Sequence, residues 1–396
     1  MKTRFIIQAI AISPPGTMGG NTKIALEMTR NLVDDYDVHV IVPDHKLATF
    51  TDNIGDTSKF TLHSIPGFRR NDLLHPLASI WHYRREVEKA FRELAVDEKD
   101  IVYTATDGHT DVVHLWLLHR RYRFKWIGSF FLFVPGLIDN TIHDYGFPRF
   151  IYAGLWCYQR ILFTLLKSRC LAFVITNTSD ERHFPQRFKN RLFAFYGGVN
   201  TEQISPVAVE KTRDVVFCSR LSYQKGIWGF LDTWKLVLEK RPTARLTVIG
   251  NGAPDYEREL KTKAERLGIA SSIEWLGYVN NKAKFKIYSE TKVFVHPTVY
   301  DNNGMVAAEA LCSGLPVVMY DLPALRHVYT TGCTKVPFGN KKAFAEAVVR
   351  LLSDPNALSS SRPAPSQVAD LRAHWDWTSR VARFREWLEN CLGCRM

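Results

Sequence analysis

Two carboxylates, Asp301 and Glu309, stand eight positions apart in the stretch VHPTVYDNNGMVAAEALCSGLPVVM, Val295–Met319. Asn302, Asn303 and Gly304 follow the first of them. Gly314 and Pro316 close the run before the β-branched pair Val317 and Val318. The residues between read as a short helix over 304–313. Asp301 then sits in the loop at a helix N-terminus, and Glu309 about two turns inside. The first amides of such a helix lack internal partners, and the helix dipole adds positive charge there. Amides suit a phosphate and carboxylates suit hydroxyls, so the pattern fits a ligand carrying both. An ordinary loop-helix-strand unit with two solvated acids has the same spacing, and other loops must decide.

Three further loops follow strand-like segments. In Ser13–Asn21 the adjacent Gly19 and Gly20 let backbone approach a ligand closely, although the loop is neither GxGxxG nor a Walker loop. In SRLSYQKG, Ser219–Gly226, Arg220 and Lys225 bracket a turn. An arginine that grips two oxygens and a lysine that acts as a point charge suit a diphosphate. Gly250-Asn251-Gly252 follows the strand LTVIG and permits close approach to a sugar or nucleotide.

Parallel βαβ units must position these loops. The first half alternates short apolar strands (5–12, 38–42, 60–64, 100–104, 125–133, 172–176, 192–195) with helices (22–32, 82–94, 150–166). The rhythm pauses at YGGVN, 196–200, and TEQISPVAVEKTR reads as a linker containing Pro206. It restarts with strands at 214–218, 245–249, 273–276, 293–296 and 316–320, and helices at 227–239, 255–267, 282–290, 304–313 and 342–352. In Ser366–Leu392, Trp375, Trp377, Val381, Phe384 and Trp387 form one apolar helical stripe. The expected architecture is α/β, two doubly wound Rossmann-like domains facing across a cleft: residues 1–205, residues 206–370, and a C-terminal helix over 371–396 crossing back to the first domain. Ligands of such sheets bind at the carboxyl ends of the strands.

At 396 residues, with 46% hydrophobic and 23% charged residues, the chain has the makeup of a soluble globular protein of two domains. Seven cysteines without a paired framework fit a reducing compartment, and the lone Cys391-Leu-Gly-Cys394 is weak evidence for metal. The apolar N-terminus reads as a first strand rather than a signal peptide, and no run is long enough to span a bilayer. The net charge is +12. Residues 112–170 hold eight Lys and Arg against two Asp, interleaved with aromatics including Trp116, Trp126, Phe133, Tyr145, Phe147, Tyr152 and Trp156. That suits an anionic membrane surface; core packing with basic residues outside is the simpler alternative. No nucleic-acid motif accompanies the charge.

The order of these pieces (the double-Gly loop, YGGVN, SRLSYQKG, VIGNG, WLGYV and the Asp301–Glu309 block) resembles the group 1 retaining glycosyltransferases of GT-B fold, most strongly from about residue 196 to 320. The resemblance implies a nucleotide-sugar donor held mainly by the second domain. Arg220 and Lys225 would bind the diphosphate, Glu309 the ribose and Asp301 the donor sugar. Asn303 and the amides of Gly304, Met305 and Val306 would line the phosphate or sugar, with Asn251 and Gly252 close by. The backbone at Tyr278 would meet the base, and Gly19 and Gly20 the phosphates. It further implies retention on one face without a dedicated base, no metal and no cofactor. The acceptor would be a glycan or lipid-linked glycan, in the cytoplasm or at the inner face of the membrane.

Two departures matter. The family usually carries glutamate where this chain has Asp301. It often carries a histidine where this chain has Phe133, Val134 and Pro135. Asp107 and His109 in TATDGHTD are candidates for the acceptor, although a histidine there also reads as an ordinary surface-loop residue. Competing readings are an epimerase or hydrolase of nucleotide sugars, which consumes donor without acceptor, and a non-catalytic nucleotide-sugar-binding relative.

Overall fold

The computed structural model describes residues 2–15, 18–72, 74–134, 149–204 and 210–393. These fall into two units, the first within 2–134, 150–197 and 377–393, the second within 198–376. The middle of the expected linker, including Pro206, lies outside the described residues, as do Pro135, Tyr145, Phe147 and Cys394.

In the first unit β1 (Arg4–Gln8), β2 (Asp37–Pro43), β3 (Thr61–Ile65), β4 (Ile101–Thr104), β5 (Lys125–Phe130), β6 (Ala172–Ile175) and β7 (Leu192–Ala194) form one sheet in the order β3-β2-β1-β4-β5-β6-β7. Every pairing is parallel. Central strands covered on both faces need continuous apolar runs, and Phe5, Ile6 and Ile7 are fully buried. The strand order reverses between β1 and β4.

Buried Asp111 on the helix His109–Tyr122 pins that reversal. Its carboxylate accepts the amides of Ile10 (2.9 Å) and Ala11 (3.2 Å) just beyond β1 and the Thr106 hydroxyl just beyond β4. Sequence periodicity did not announce this helix, because Thr110, Asp111 and His114 put polar groups on its buried face.

β5 ends at Phe130, short of the expected Phe133. The Gln159 side chain takes over the backbone beyond it, donating to Leu132 O (2.6 Å) and accepting from Val134 N (2.7 Å).

In the second unit β8 (Arg213–Cys218), β9 (Leu246–Ile249), β10 (Ile273–Gly277), β11 (Thr291–His296), β12 (Val317–Tyr320) and β13 (Cys333–Val336) pair in parallel in the order β10-β9-β8-β11-β12-β13. The reversal lies between β8 and β11. β13, with its half-buried CTKV, is too short and mixed to stand out in sequence.

The expected single terminal helix is two, Pro365–Trp375 and Trp377–Leu392, broken at the extended residue Asp376. Asp376 is drawn out of helical geometry by partners around Val199. The Val199 amide donates to Trp375 O (2.8 Å) and the Thr201 hydroxyl to the Asp376 carboxylate (2.9 Å). The apolar stripe divides accordingly. Trp375 stacks on Tyr329 in the second unit, whereas Phe384 packs on Phe5, Phe193 and Phe195 in the first.

His114 is fully buried, neither ring nitrogen has a hydrogen-bond partner among the described residues, and burial pushes its pKa down to about 3 from 6.5. A neutral buried histidine contributes stability that is complete above pH 6.5 and is lost as pH falls toward 3. His114→Leu removes that component and two unsatisfied polar atoms. Urea unfolding is expected to show the variant at least as stable as the parent at pH 7.5. Between pH 6.5 and 4.5 it should lose less stability. A parallel decline in both proteins would refute the burial argument.

Candidate active site

The second sheet gathers the candidate residues at its carboxyl edge, at the β8/β11 reversal. After β8, Ser219–Lys225 runs toward the helix Ile227–Lys240 through Gly226, at φ +73°. A Cβ on Gly226 would collide with the Pro297 carbonyl beyond β11. Gly250, at φ +126° beyond β9, presses likewise on the Ser219 carbonyl. Hydrogen bonds stitch the same contacts: Leu221 N to Asn251 O (2.8 Å), Gly250 N to Gly277 O (2.8 Å) and Val299 N to Gln224 O (3.0 Å). Four strand ends therefore form one shelf of backbone.

On this shelf Lys225 Nζ lies 2.6 Å from Asp301 Oδ2. The other Asp301 oxygen accepts the amides of Asn303 and Gly304, both at 3.1 Å. Burial would raise the Asp301 pKa. The Lys225 ammonium, His296 and these amides outweigh it and hold the carboxyl well below the usual range. Asp301 is thus an anion that accepts hydrogen bonds and has no proton to give. His296 Nε2 stands 3.9 Å from Asp301, and burial pushes its pKa down to about 4, so the ring is neutral near pH 7.

The structure redistributes the expected amides. Gly304 spends its N–H on Asp301, which leaves Met305 and Val306 at the start of the helix Met305–Cys312. Gly252 gives its N–H to Glu257 (2.6 Å), and a Cβ there would strike Leu221, so this glycine serves the loop rather than a ligand. Glu309 falls little more than one turn into the helix, not two. Arg220 is exposed and makes no ion pair among the described residues. Tyr278 is exposed just beyond β10.

The first unit has its own loops at its reversal. Gly19 caps the helix Gly20–Leu32, and its amide donates to Ser13 Oγ (3.0 Å) rather than standing free; Gly16 and Thr17 lie outside the described residues. Asp107 accepts from Gln159 Nε2 at 3.4 Å, and burial raises its pKa to about 6. His109 is not a surface-loop residue. It is buried at the start of its helix, with Nδ1 2.7 Å from the Tyr158 hydroxyl and Nε2 3.4 Å from Ser79 Oγ. Phe133 is buried, and the His183 ring lies against it at 4.2 Å between centroids. No group of three or more metal-ligating side chains occurs among the described residues.

Residues 212–354 match the family model described as "Glycosyl transferases group 1". This segment is a group 1 glycosyltransferase domain. An uncharacterized glycosyltransferase of Methanocaldococcus jannaschii is 34% identical over 143 residues, 35% of this chain and 36% of that protein. A phosphatidyl-myo-inositol mannosyltransferase of Mycobacterium leprae is 32% identical over 144 residues, 35% of this chain and 37% of that protein. The chain thus spans little more than a third of the length of these two curated relatives. The structure of Anabaena HepE in complex with UDP and glucose superposes with a TM-score of 0.73 at 15% identity, covering 98% of this chain and 100% of that one. The fold is the two-domain Rossmann-like GT-B arrangement.

The glycosyltransferase domain holds one ion pair that sequence reasoning missed. Lys284, on the helix Asn281–Glu290, places Nζ 2.7 Å from Glu309 Oε1. Burial would lower the Lys284 pKa, but the Glu309 charge raises it overall. Glu309 Oε2 is buried and has no hydrogen-bond partner among the described residues, which leaves one acceptor for a ligand hydroxyl. Lys284 lies 25 residues away in sequence, and as one of two lysines in NNKAKF it carries no local signal. Lys284→Ala leaves the Glu309 carboxylate without its cation. We expect a loss of roughly 2–3 kcal/mol, below the figure for a fully buried pair. Differential scanning calorimetry checks this; an unchanged second-unit transition would mean that the pair is idle.

Proposed function

We propose that this protein is a retaining, metal-independent glycosyltransferase that moves a hexose-type sugar from a nucleoside diphosphate sugar to a glycan or lipid-linked glycan, in the synthesis of cell-envelope polysaccharide or glycoconjugate. The carrying observation is the shelf at the β8/β11 reversal, where Lys225 is fixed on Asp301 beside the open Met305 and Val306 amides. The UDP and glucose named for the Anabaena structure support a nucleotide-sugar donor. The mannosyl transfer named for the mycobacterial relative supports a hexose and a lipid-borne acceptor.

In this reading Arg220 and Lys225 neutralise the departing diphosphate, since Lys225 keeps N–H donors beyond the one given to Asp301. Asp301 accepts from a donor-sugar hydroxyl and Glu309 Oε2 from the ribose. The bond from the sugar C1 to the diphosphate oxygen breaks as a bond from C1 to the acceptor oxygen forms on the same face. The acceptor proton passes to the leaving phosphate, so no protein base is needed. Asp107 and His109 face the acceptor. The protein works at the inner face of a membrane; among the described residues no helix is long and apolar enough to cross one.

A thermal-shift panel with UDP, GDP, ADP and their sugar conjugates tests donor binding and names the base, because a ligand bound only to the folded state raises its stability. Lys225→Ala should lower turnover about tenfold or more, each charge-assisted contact being worth roughly 1.5–3 kcal/mol, with the fold intact. Donor consumed at an undiminished rate without any acceptor would favour a hydrolase or epimerase. Full turnover by Lys225→Ala would remove this loop from the chemistry. Chelation with EDTA is expected to leave the rate unchanged.

A further inference from the structure

Among the described aromatic residues of 112–170, Trp126, Phe130, Phe133 and Tyr152 are buried, Trp116 and Trp156 are half-buried and Tyr158 is exposed. Most of the exposed apolar side chains of the first unit form two groups, one outside that segment and one within it. Leu74, Leu77 and Trp81 are 74%, 74% and 59% exposed. Leu77 and Trp81, four apart on the helix Pro76–Glu93, share one face. A second exposed row, Ile151, Leu155 and Ile161, runs along the helix Arg149–Arg169.

A hydrogen-bonded chain relates the two rows. His109 reaches Ser79, between Leu77 and Trp81 in sequence, and Tyr158, between Leu155 and Ile161. The helices that carry both rows thus pack together at the Asp107–His109 end of β4, with Leu77 and Trp81 on the outer face, opposite buried Ser79.

The charge around the first row is mostly positive. Residues 69–86 hold four arginines (Arg69, Arg70, Arg84 and Arg85) and two acids, Asp72 and Glu86; Glu86 pairs with Arg85 at 2.8 Å, which leaves Arg69, Arg70 and Arg84 as the arginines to meet an anion. Asp72 does not offset them at the surface, because its Oδ1 is buried and its charge acts on Lys46 and His109. The Arg84 guanidinium lies over the Trp81 ring, 4.9 Å from its centroid. Bare leucines on a soluble surface mark a contact site. Leucine and tryptophan enter the headgroup boundary of a bilayer, while arginines beside them reach its phosphates. A neutral protein partner would use the leucines but not the arginines.

We propose that this face docks on an anionic lipid surface. The 74–81 turn enters the headgroup layer, and the flanking arginines meet lipid phosphates. The use of that contact, to present a lipid-linked acceptor at Asp107 and His109, rests on the transferase reading; the contact itself does not.

The test is co-sedimentation of the full chain with phosphatidylcholine vesicles, with and without phosphatidylglycerol, at low and physiological salt. Leu77→Glu/Trp81→Glu is run beside it. We expect binding that requires phosphatidylglycerol and weakens with salt. The double variant should lower the vesicle partition coefficient by about tenfold or more. Equal partition into both vesicle types, or a variant that binds like the parent, overturns the proposal. So does a dimer on sizing that the variant dissolves while neither protein binds vesicles, which would assign the face to a second copy of this chain.

Nucleotide thermal shifts on both proteins separate the two ideas. A retained shift in the variant shows that the fold survived. Vesicle binding without any nucleotide shift in the parent would sink the transferase reading and leave the lipid surface standing.

Discussion

The second unit's site depends on backbone meeting backbone where no side chain fits. Gly226 lies against the Pro297 carbonyl and Gly250 against that of Ser219, both with φ values that L side chains rarely adopt. Those contacts bring the ends of β8, β9 and β11 to one level. Without them the Lys225 loop and the Asp301 loop would be separate surface turns. With them an ammonium and a carboxylate separated by 76 residues meet at 2.6 Å.

Charge in this site is arranged to limit the cost of desolvation. Lys225 neutralises Asp301, and Lys284 neutralises Glu309. Each carboxylate takes a cation on one oxygen, and Asp301 adds two amides on the other. Pairing of this kind keeps partly buried groups ionised and fixes their rotamers before a ligand arrives. Arg220 remains exposed, which leaves its guanidinium able to reach the diphosphate proposed above. The aspartate at position 301 has a structural role here. Its side chain closes onto the amides two and three residues ahead and so sets the turn into the Met305–Cys312 helix.

The first unit repeats the sheet order with different contents. A carboxylate, Asp111, ties its β1 and β4 ends together where glycine contacts do so in the second unit. Around that tie the groups are a carboxyl raised by burial, a histidine and a tyrosine, and the helices packed on them carry exposed leucine, isoleucine and tryptophan on their outer faces. The two units thus pair one strand topology with two kinds of chemistry, as expected when function resides in loops grafted on a shared scaffold.

Much of this was legible in the chain. Apolar runs marked twelve of the thirteen strands among the described residues, most plainly the central ones, which are covered on both faces and continuously hydrophobic. Glycine, proline and charged residues directly after them marked the loops at the β8, β9 and β11 ends. What the sequence could not show were facts of long range. The helix His109–Tyr122 was hidden because its buried face carries Asp111 and His114, whose places are justified only by what packs on them. The break at Asp376 depends on partners near Val199 and Thr201. The Lys284–Glu309 pair joins two helices, and neither residue's neighbours in sequence announce it. Aromatic composition pointed to a surface in 112–170, yet burial is a property of the packed fold: it placed Trp126, Phe130, Phe133 and Tyr152 inside and left Tyr158 of that segment, and Leu74, Leu77 and Trp81 before it, outside. Local pattern determined the elements and the loops that carry the chemistry. Tertiary packing decided which charges meet, which amides remain open and which apolar face stays bare, because each of these is set by contacts between residues far apart in the chain.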